Sequence, residues 1–469
     1  MNSPPAPDAT AQRVALIIVC LASFTAPLML SAVNVAIPTI AAGLGADAIM
    51  LSWIPTAYLL TSAVLLLPFG RLADMYGRKR VFLLGMIIIT VASMLASTSQ
   101  SVQQLVAYRV LQGIGAAMLF ATGVALLTSL MPRERRGAAI GMSVSSVYFG
   151  LACGPLLGGW ATHHYSWRAA FLIHIPIALL IILLALAGLR GEWRNEKPQR
   201  FDLPGAGIYA CAITALMYGI SLLPSASGLA LILAGAAGLV VFLRHERRTV
   251  DPLFDVNLFF TNRTFTFSCL ASITIYTAMF GTSYLLSLYL QYVKGLTAAA
   301  AGVILIAQPA VMALLSPVSG RLSDRIEPRL LASAGLILTA AGLGMLAALG
   351  PASTPAYVVF SLLLTGGGFA LFSSPNVNAI MGSVDRQHLG SAAGAVSTMR
   401  VLGQMNSMGL ITVVFALLLG PVQIAPEHYP ALMRSIQISF LAAAGMTGVA
   451  IYFSMVRGEI HGGKMEGRI

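Results

Sequence analysis

The sequence predicts an all-α membrane protein of fourteen spanning helices, arranged as two six-helix halves with two extra spans between them. Three observations carry that reading. The first is composition: of 469 residues 57% are hydrophobic and 9% charged, mean hydropathy is +0.84, and charge-free runs exceed twenty residues. A helix rises about 1.5 Å per residue, so roughly 20 apolar residues cross a hydrocarbon layer about 30 Å thick. Lipid offers no partner to unpaired backbone groups, which makes the helix the expected spanning element. The second observation is where positive charge falls, and the third is an internal repeat.

Residues 1–13 read as a short polar tail. The charge-free run Val14 to Ala46 is too long for a signal-peptide core and ends at no clear small-residue cleavage site, so it reads as a retained first span with its outer loop. Spans follow near 14–37, 49–70, 81–98, 104–130, 138–161 and 169–189. After the polar stretch RGEWRNEKPQR, the uncharged run 203–243 is divided by PSASG (Pro224 to Gly228) into two short spans. Beyond RHERRTVDP, six more lie near 266–291, 298–318, 330–349, 356–380, 391–419 and 436–456. The expected organisation is a tail (1–13), an N-terminal half (14–189), a linker with two spans (190–265), a C-terminal half (266–456) and a second tail (457–469).

An even count places both termini on one side. Of the 28 Lys and Arg, 23 fall on that side, Arg168, Lys294 and Arg434 fall opposite, and Arg109 and Arg400 lie within spans. Loops facing the cytoplasm carry the excess of Lys and Arg, so both termini are expected in the cytoplasm, with the chain in a bacterial inner membrane. The same placement removes the nucleic-acid reading that a net charge of +12 invites, because the basic residues border spans. Cys20, Cys153, Cys211 and Cys269 are far apart with no CxxC spacing, which suggests neither a metal site nor a disulfide framework. GEIHGGKM (Gly458 to Met465) mimics a phosphate loop but lacks Ser or Thr and a preceding strand. No HExxH or nucleophile elbow occurs either, so an ATP-driven pump, an enzyme and a cofactor are not expected.

The loop GRLADMYGRKR (Gly70 to Arg80) sets five charges into eleven residues and returns about 250 residues later as GRLSDRIEPR. Gly70, Arg71, Leu72 and Asp74 recur as Gly320, Arg321, Leu322 and Asp324. An offset of 253 then relates Gly113 to Gly366, Gly115 to Gly368, Arg133 to Arg386, Gly137 to Gly390, Gly141 to Gly394 and Gly150 to Gly403. Duplicated halves facing one another around a midplane cavity are a transporter's architecture, with the two extra spans, outside this register, at the periphery.

On these motifs the chain resembles the major facilitator superfamily and, within it, the fourteen-span drug:proton antiporter branch. Gly70 to Arg80 is similar to the superfamily's loop motif. Arg109, Gln112, Gly113 and Gly115 in RVLQGIGAA are similar to its span-four motif, and GLACGPLLGG (Gly150 to Gly159) to the exporters' GxxxGPxxGG. The resemblance implies gating through Gly70, Asp74, Gly77, Arg78, Gly320 and Asp324, the loop favouring the outward-facing state. It implies bending or sealing at Gly150, Gly154, Pro155, Gly158 and Gly159, and proton movement linked to Arg109 and Gln112. In physical terms, Asp74 has a helix N-terminus, Arg78 and the Arg133 to Arg136 cluster as partners. Gly150, Gly154 and Gly158 form one bare face for close helix approach. Arg109 shares a face with Gln112, buried or snorkelling to the interface.

Two departures shape the rest. SAVNVAIPTI keeps Asn34 and Pro38 of the branch's first-span motif, but where the branch carries an aspartate five residues before the asparagine, this chain has Met29. All sixteen acids, Asp8 to Glu466, fall in turns, linkers or tails. Intramembrane carboxylates are the usual proton carriers and counter-charges for cations. Arg400, about ten residues into its span, costs at least about 2.5 to 3.5 kcal/mol there unless solvated or paired, so it is expected to face a wet cavity or to pair with backbone carbonyls and Gln404. In SWRAAFLIHIPI, His174 stands where the family usually has asparagine, and a histidine suits proton carriage; a hydrogen-bonded packing role is the alternative. Candidate cavity residues are Asn34, Trp53, Tyr58, Tyr284, Tyr289, Asn376, Asn378 and Arg400, an interface belt being the alternative for aromatic residues near span ends.

The expected function is export of small amphiphilic compounds from the cytoplasm by alternating access and proton antiport, with neutral or anionic substrates preferred over cations. The alternative is a facilitator or importer of a metabolite without proton coupling. The partners are a small-molecule substrate, the bilayer and protons, with no nucleic acid and no metal. A monomer is expected, and the sequence names no periplasmic adaptor.

Overall fold

Spanning helices form wherever a charge-free run is long enough, and they continue past it. The computed structural model describes residues 9–132, 136–189, 191–193, 200–323, 325–384 and 389–458; of 9–11, 128, 136–138 and 389–390 only the backbone is described. Among the described residues, fourteen helices are long and apolar enough to cross a membrane, and no strand occurs. In order they are Gln12–Leu44, Ala48–Tyr76, Arg78–Ser97, Val102–Leu127, Ala139–His164, Ala169–Gly188, Leu203–Ser221, Ala226–Glu246, Arg263–Val293, Ala298–Ser323, Pro328–Ala347, Pro355–Gly382, Ser391–Leu418 and Pro426–Val456. Several begin at side-chain caps: Asp47, Ser101, Asp202, Ser225, Thr297 and Thr354 each accept from a backbone N–H three residues on, satisfying donors that lipid cannot.

The helices run longer than the charge-free stretches, which corrects the expectation that no span carries an acid. Asp74, Glu246 and Glu427 belong to the end turns of the second, eighth and fourteenth spans. Charge marks where the hydrocarbon stops, whereas the helix stops where its backbone finds other partners. Among the described residues none of these carboxylates reaches the middle of a span.

Spans one to six pack together, as do nine to fourteen, and the same pairs meet in each half. Spans seven and eight pack on each other, and span seven leans on spans two and thirteen, span eight being the least buried of the fourteen. Glycine at the crossings shows why the repeat keeps its register. A Cβ on Gly113 would meet the Tyr58 carbonyl oxygen of span two, and one on Gly366 the Gln308 carbonyl of span ten. Gly115 abuts Gly85 and Ile89 of span three just as Gly368 abuts Gly335 and Thr339 of span eleven, and Gly150 faces Phe24 of span one as Gly403 faces Ile273 of span nine. Each crossing brings backbones too close for a side chain, which is how helices associate where lipid removes the hydrophobic drive.

The halves join on the face opposite the termini. There Ala48 N–H donates to Val422 O (3.0 Å), Gln423 Nε2 to Gly45 O (3.0 Å) and Gln291 Nε2 to Val35 O (2.9 Å). Deeper in, Thr412 Oγ1 donates to Ser52 Oγ (2.9 Å), and near mid-depth Tyr148 and Ser373 share a hydroxyl contact at 2.7 Å.

Candidate functional site

The sixth span breaks where the sequence places a proline. Its helix runs Ala169–Leu172, pauses at Ile173 and His174, and resumes as Ile175–Gly188, Pro176 having no N–H to give. The pause turns His174 inward, 1% exposed. There it meets a polar chain built by three other spans. Arg109, fully buried, donates through Nε to Ile54 O (2.9 Å) and through Nη1 to Gln112 Oε1 (2.7 Å), with its guanidinium 4.5 Å from the centre of the Tyr58 ring. Gln112 Nε2 donates to Ser93 Oγ (2.7 Å), and Ser93 Oγ lies 3.1 Å from His174 Nε2.

Counting protons fixes the direction of the last bond. Ser93 has one hydroxyl hydrogen, and it goes to Ile89 O at 2.6 Å. Its oxygen therefore accepts from both Gln112 and His174, so the imidazole carries its hydrogen on Nε2. His174 Nδ1 is left as a buried lone pair with no partner. Arg109 Nη2, the Tyr58 hydroxyl and Asn34 Oδ1 are likewise buried without partners. Met29 completes the cluster, its sulfur 3.5 Å from Gln112 Nε2 and 3.8 Å from Ser93 Oγ. The residue replacing the branch's aspartate thus touches the same two groups that link Arg109 to His174. Burial excludes the snorkelling alternative for Arg109.

A second group lies nearer the termini. Arg400 is partly exposed, and among the described residues no hydrogen bond or ion pair meets its guanidinium, which stands 5.7 Å from the Phe120 ring centre. Neither Gln404 nor a backbone carbonyl takes it up.

The remaining candidates disperse. Trp53 packs 6.5 Å from Tyr218 on span seven, at the flank of the bundle. Tyr289 donates to Gly350 O (2.8 Å) in the loop between spans eleven and twelve, and Tyr284 sits fully buried, 6.2 Å from Phe415. Asn376 stays inside its own half, donating to Ser272 Oγ (2.8 Å) and accepting from Arg457 Nη1 (2.7 Å); Asn378 donates to Ser323 Oγ (2.7 Å). Arg457, counted in the sequence as a topology-setting tail residue, is 1% exposed.

In the loop motif, Arg78 Nη2 meets Asp74 Oδ1 at 2.7 Å, and Nη1 reaches Ala125 O and Ser129 of span four. The N-terminus of span three is held by Glu192, which accepts from Lys79 N–H (2.8 Å) across Gly77, whose φ of +119° leaves no room for a side chain beside that carboxylate. Arg71 pairs with Asp251 of the linker at 3.1 Å. Gly70 and Gly320 occupy like places, against Ala121 and Ser374. Asp324, Arg133 and Arg135 lie outside the described residues. The GxxxGPxxGG helix has two working faces: Gly150, Gly154 and Gly158 seat span one, while Pro155 and Gly159 touch Gly302 and Ala298 of span ten, across the divide between halves.

Serine gave no sequence signal at 93, since its role depends on span three crossing spans four and six; Tyr148, Phe120 and Tyr276 were equally silent.

Comparison with known proteins agrees with this architecture. The model of the Major Facilitator Superfamily matches residues 19–408. The riboflavin transporter RibZ of Clostridioides difficile is 30% identical over 94% of this chain and 96% of its own length. The cephamycin export protein CmcT of Amycolatopsis lactamdurans is 32% identical over 95% and 94%, and the multidrug resistance protein Stp of Mycobacterium tuberculosis 31% identical over 82% and 72%. Among solved structures, the peptide transporter POT bound to alafosfalin has a TM-score of 0.68 at 16% identity, covering 94% of this chain and 95% of its own. The human organic anion transporter MFSD10 has 0.65 at 16%, covering 96% and 100%, likenesses that speak to fold alone. The chain belongs to the Major Facilitator Superfamily and is a membrane transporter.

Proposed function

We propose that the chain exports small neutral or anionic amphiphiles from the cytoplasm by alternating access, exchanging them for protons carried by His174. The observation that carries this is the buried chain Arg109, Gln112, Ser93 and His174, which ends in an unpartnered imidazole nitrogen in a membrane interior with no mid-span carboxylate among the described residues. A proton arriving on Nδ1 places a second positive charge within reach of Arg109, and such repulsion is strong in a low-dielectric interior. Tyr58 sets its ring under Arg109 and leaves its hydroxyl buried without a partner. The excess of Lys and Arg beside the termini supports a cytoplasmic terminal face, so the halves are shut on the outside. Two relatives named as exporters, of cephamycin and of drugs, support the direction.

The test uses liposomes with an imposed pH gradient and 2-naphthalenesulfonate as a fixed-charge probe. Wild type is expected to accumulate the probe against its gradient. His174→Ala is expected to fall to the level of protein-free liposomes while still exchanging probe when no gradient is imposed. Undiminished accumulation in His174→Ala would remove the histidine from the mechanism, and wild type that only equilibrates the probe would establish the facilitator reading.

A further inference from the structure

Five residues from five spans share one depth. Counting helical rise from the terminal ends, Phe120 of span four, Tyr148 of span five, Tyr276 of span nine, Ser373 of span twelve and Arg400 of span thirteen lie between about 10 and 20 Å in. They come from both halves. Tyr148 and Ser373 are joined at 2.7 Å. Tyr276 packs edge-on against Phe369, ring centres 5.4 Å apart. The layer therefore offers aromatic faces, a cluster of hydroxyls and one guanidinium.

That guanidinium carries the charge of the layer, and its chemistry is unanswered. A cation this deep carries a cost that a partner or water must offset, and among the described residues Arg400 has the Phe120 face and nothing else. Among the described residues the two buried arginines are held by hydrogen bonds, Arg109 by Ile54 and Gln112 and Arg457 by Asn376. A guanidinium presents a planar fork matched to carboxylate, sulfonate or phosphate oxygens. Beside it, the rings of Phe120, Tyr276 and Phe369 suit a flat apolar body.

We propose that Arg400 is the anion anchor of a substrate site for compounds that join a planar aromatic body to one anionic group, with the Tyr148, Tyr276 and Ser373 hydroxyls completing the cradle. This rests on the transport reading above and names its substrate class. Since the anchor is contributed by one half and its ring partner Phe120 by the other, an occupied site holds the halves together and must release when they part.

Equilibrium binding in nanodiscs, with no gradient, isolates the site from the direction of transport. The probes share one ring: 2-naphthalenesulfonate, 2-naphthalenemethanol and 2-naphthylmethyl-trimethylammonium. Wild type is expected to bind the sulfonate about tenfold or more tightly than either of the others, the scale of one charge-assisted pair. Arg400→Gln is expected to bring the sulfonate to the alcohol's affinity and leave the alcohol's own affinity unchanged, which also shows that the variant is folded; Arg400→Lys should keep part of the preference. Equal affinities in wild type, or an undiminished sulfonate preference in Arg400→Gln, would overturn the proposal. Binding that follows the expected pattern without gradient-driven accumulation in liposomes would leave the site standing and remove the exporter reading instead.

Discussion

Replacing Arg109 with methionine is expected to abolish gradient-driven transport, and replacing it with lysine to leave a small remnant. The reason is orientation. Gln112 has two ends, and Arg109 Nη1 occupies its carbonyl at 2.7 Å, which turns its amide hydrogens to Ser93. Ser93 is thereby an acceptor, and His174 must present Nε2–H to it, leaving Nδ1 open. Methionine removes the first constraint, so Gln112 is free to turn over and the tautomer at His174 is no longer fixed. It also leaves Gln112 Oε1 buried without its donor, at about 1–3 kcal/mol. Lysine keeps the charge but not the fork, so it reaches one acceptor at a time and sits less well over Tyr58. The two variants are compared by proton-coupled accumulation of 2-naphthalenesulfonate and by thermal unfolding in detergent. A methionine variant that transports at the wild-type rate would show that Arg109 merely packs. Lysine restoring stability but not accumulation would place Arg109 as a positioning residue for His174.

Much of this was legible in the sequence, for identifiable reasons. The spans could be counted because lipid penalises charge, and Arg133 with Arg386, Gly113 with Gly366 or Gly150 with Gly403 kept their register because the glycines sit at equivalent helix crossings. Arg109, Gln112 and His174 stood out because polar side chains in apolar runs need a purpose, and the fold brings all three into one chain. What the sequence lacked was the link. Ser93 is one of many serines in spans, most of which bond back to their own helix turn, as Ser62 and Ser435 do. Only the crossing of spans three, four and six distinguishes it. Helix ends differ from the charge boundaries, since Asp74 and Glu246 sit in the final turns of the second and eighth spans. The aromatic candidates dispersed for a related reason: near a span's end, Trp53 and Tyr289 have flanks and loops to satisfy them, and sequence spacing cannot say which neighbour a ring will meet.

Gly302→Ala is expected to shift the chain away from the arrangement in which the halves meet opposite the termini by roughly tenfold, with Gly302→Leu shifting it further. A single methyl at Gly302 meets the carbonyl oxygen of Pro155, and beyond it lies the Cα of Gly159 at 3.6 Å. Carbonyl oxygens of a helix do not yield as a flexible side chain would, so the insertion costs about 1–3 kcal/mol. That cost falls on one state only. When the halves separate on this side, Pro155 and Gly302 part, and the methyl meets nothing. A penalty of about 1.4 kcal/mol confined to one of two states is a tenfold change in their ratio. The contrast with Gly150 locates the effect: its missing side chain makes room for Phe24 of span one, a neighbour within the same half, so Gly150→Ala should lower stability in both states and leave their ratio alone. Gly344, where an added Cβ meets nothing within 4 Å, serves as the silent control. Spin labels at Tyr165, 72% exposed, and at Lys294 straddle the seal. Their distance distribution should gain a longer component in Gly302→Ala, grow it in Gly302→Leu, and stay at the wild-type profile in Gly150→Ala and Gly344→Ala. A wild-type profile in Gly302→Leu would mean that the contact between spans five and ten persists through the transport cycle and seals nothing.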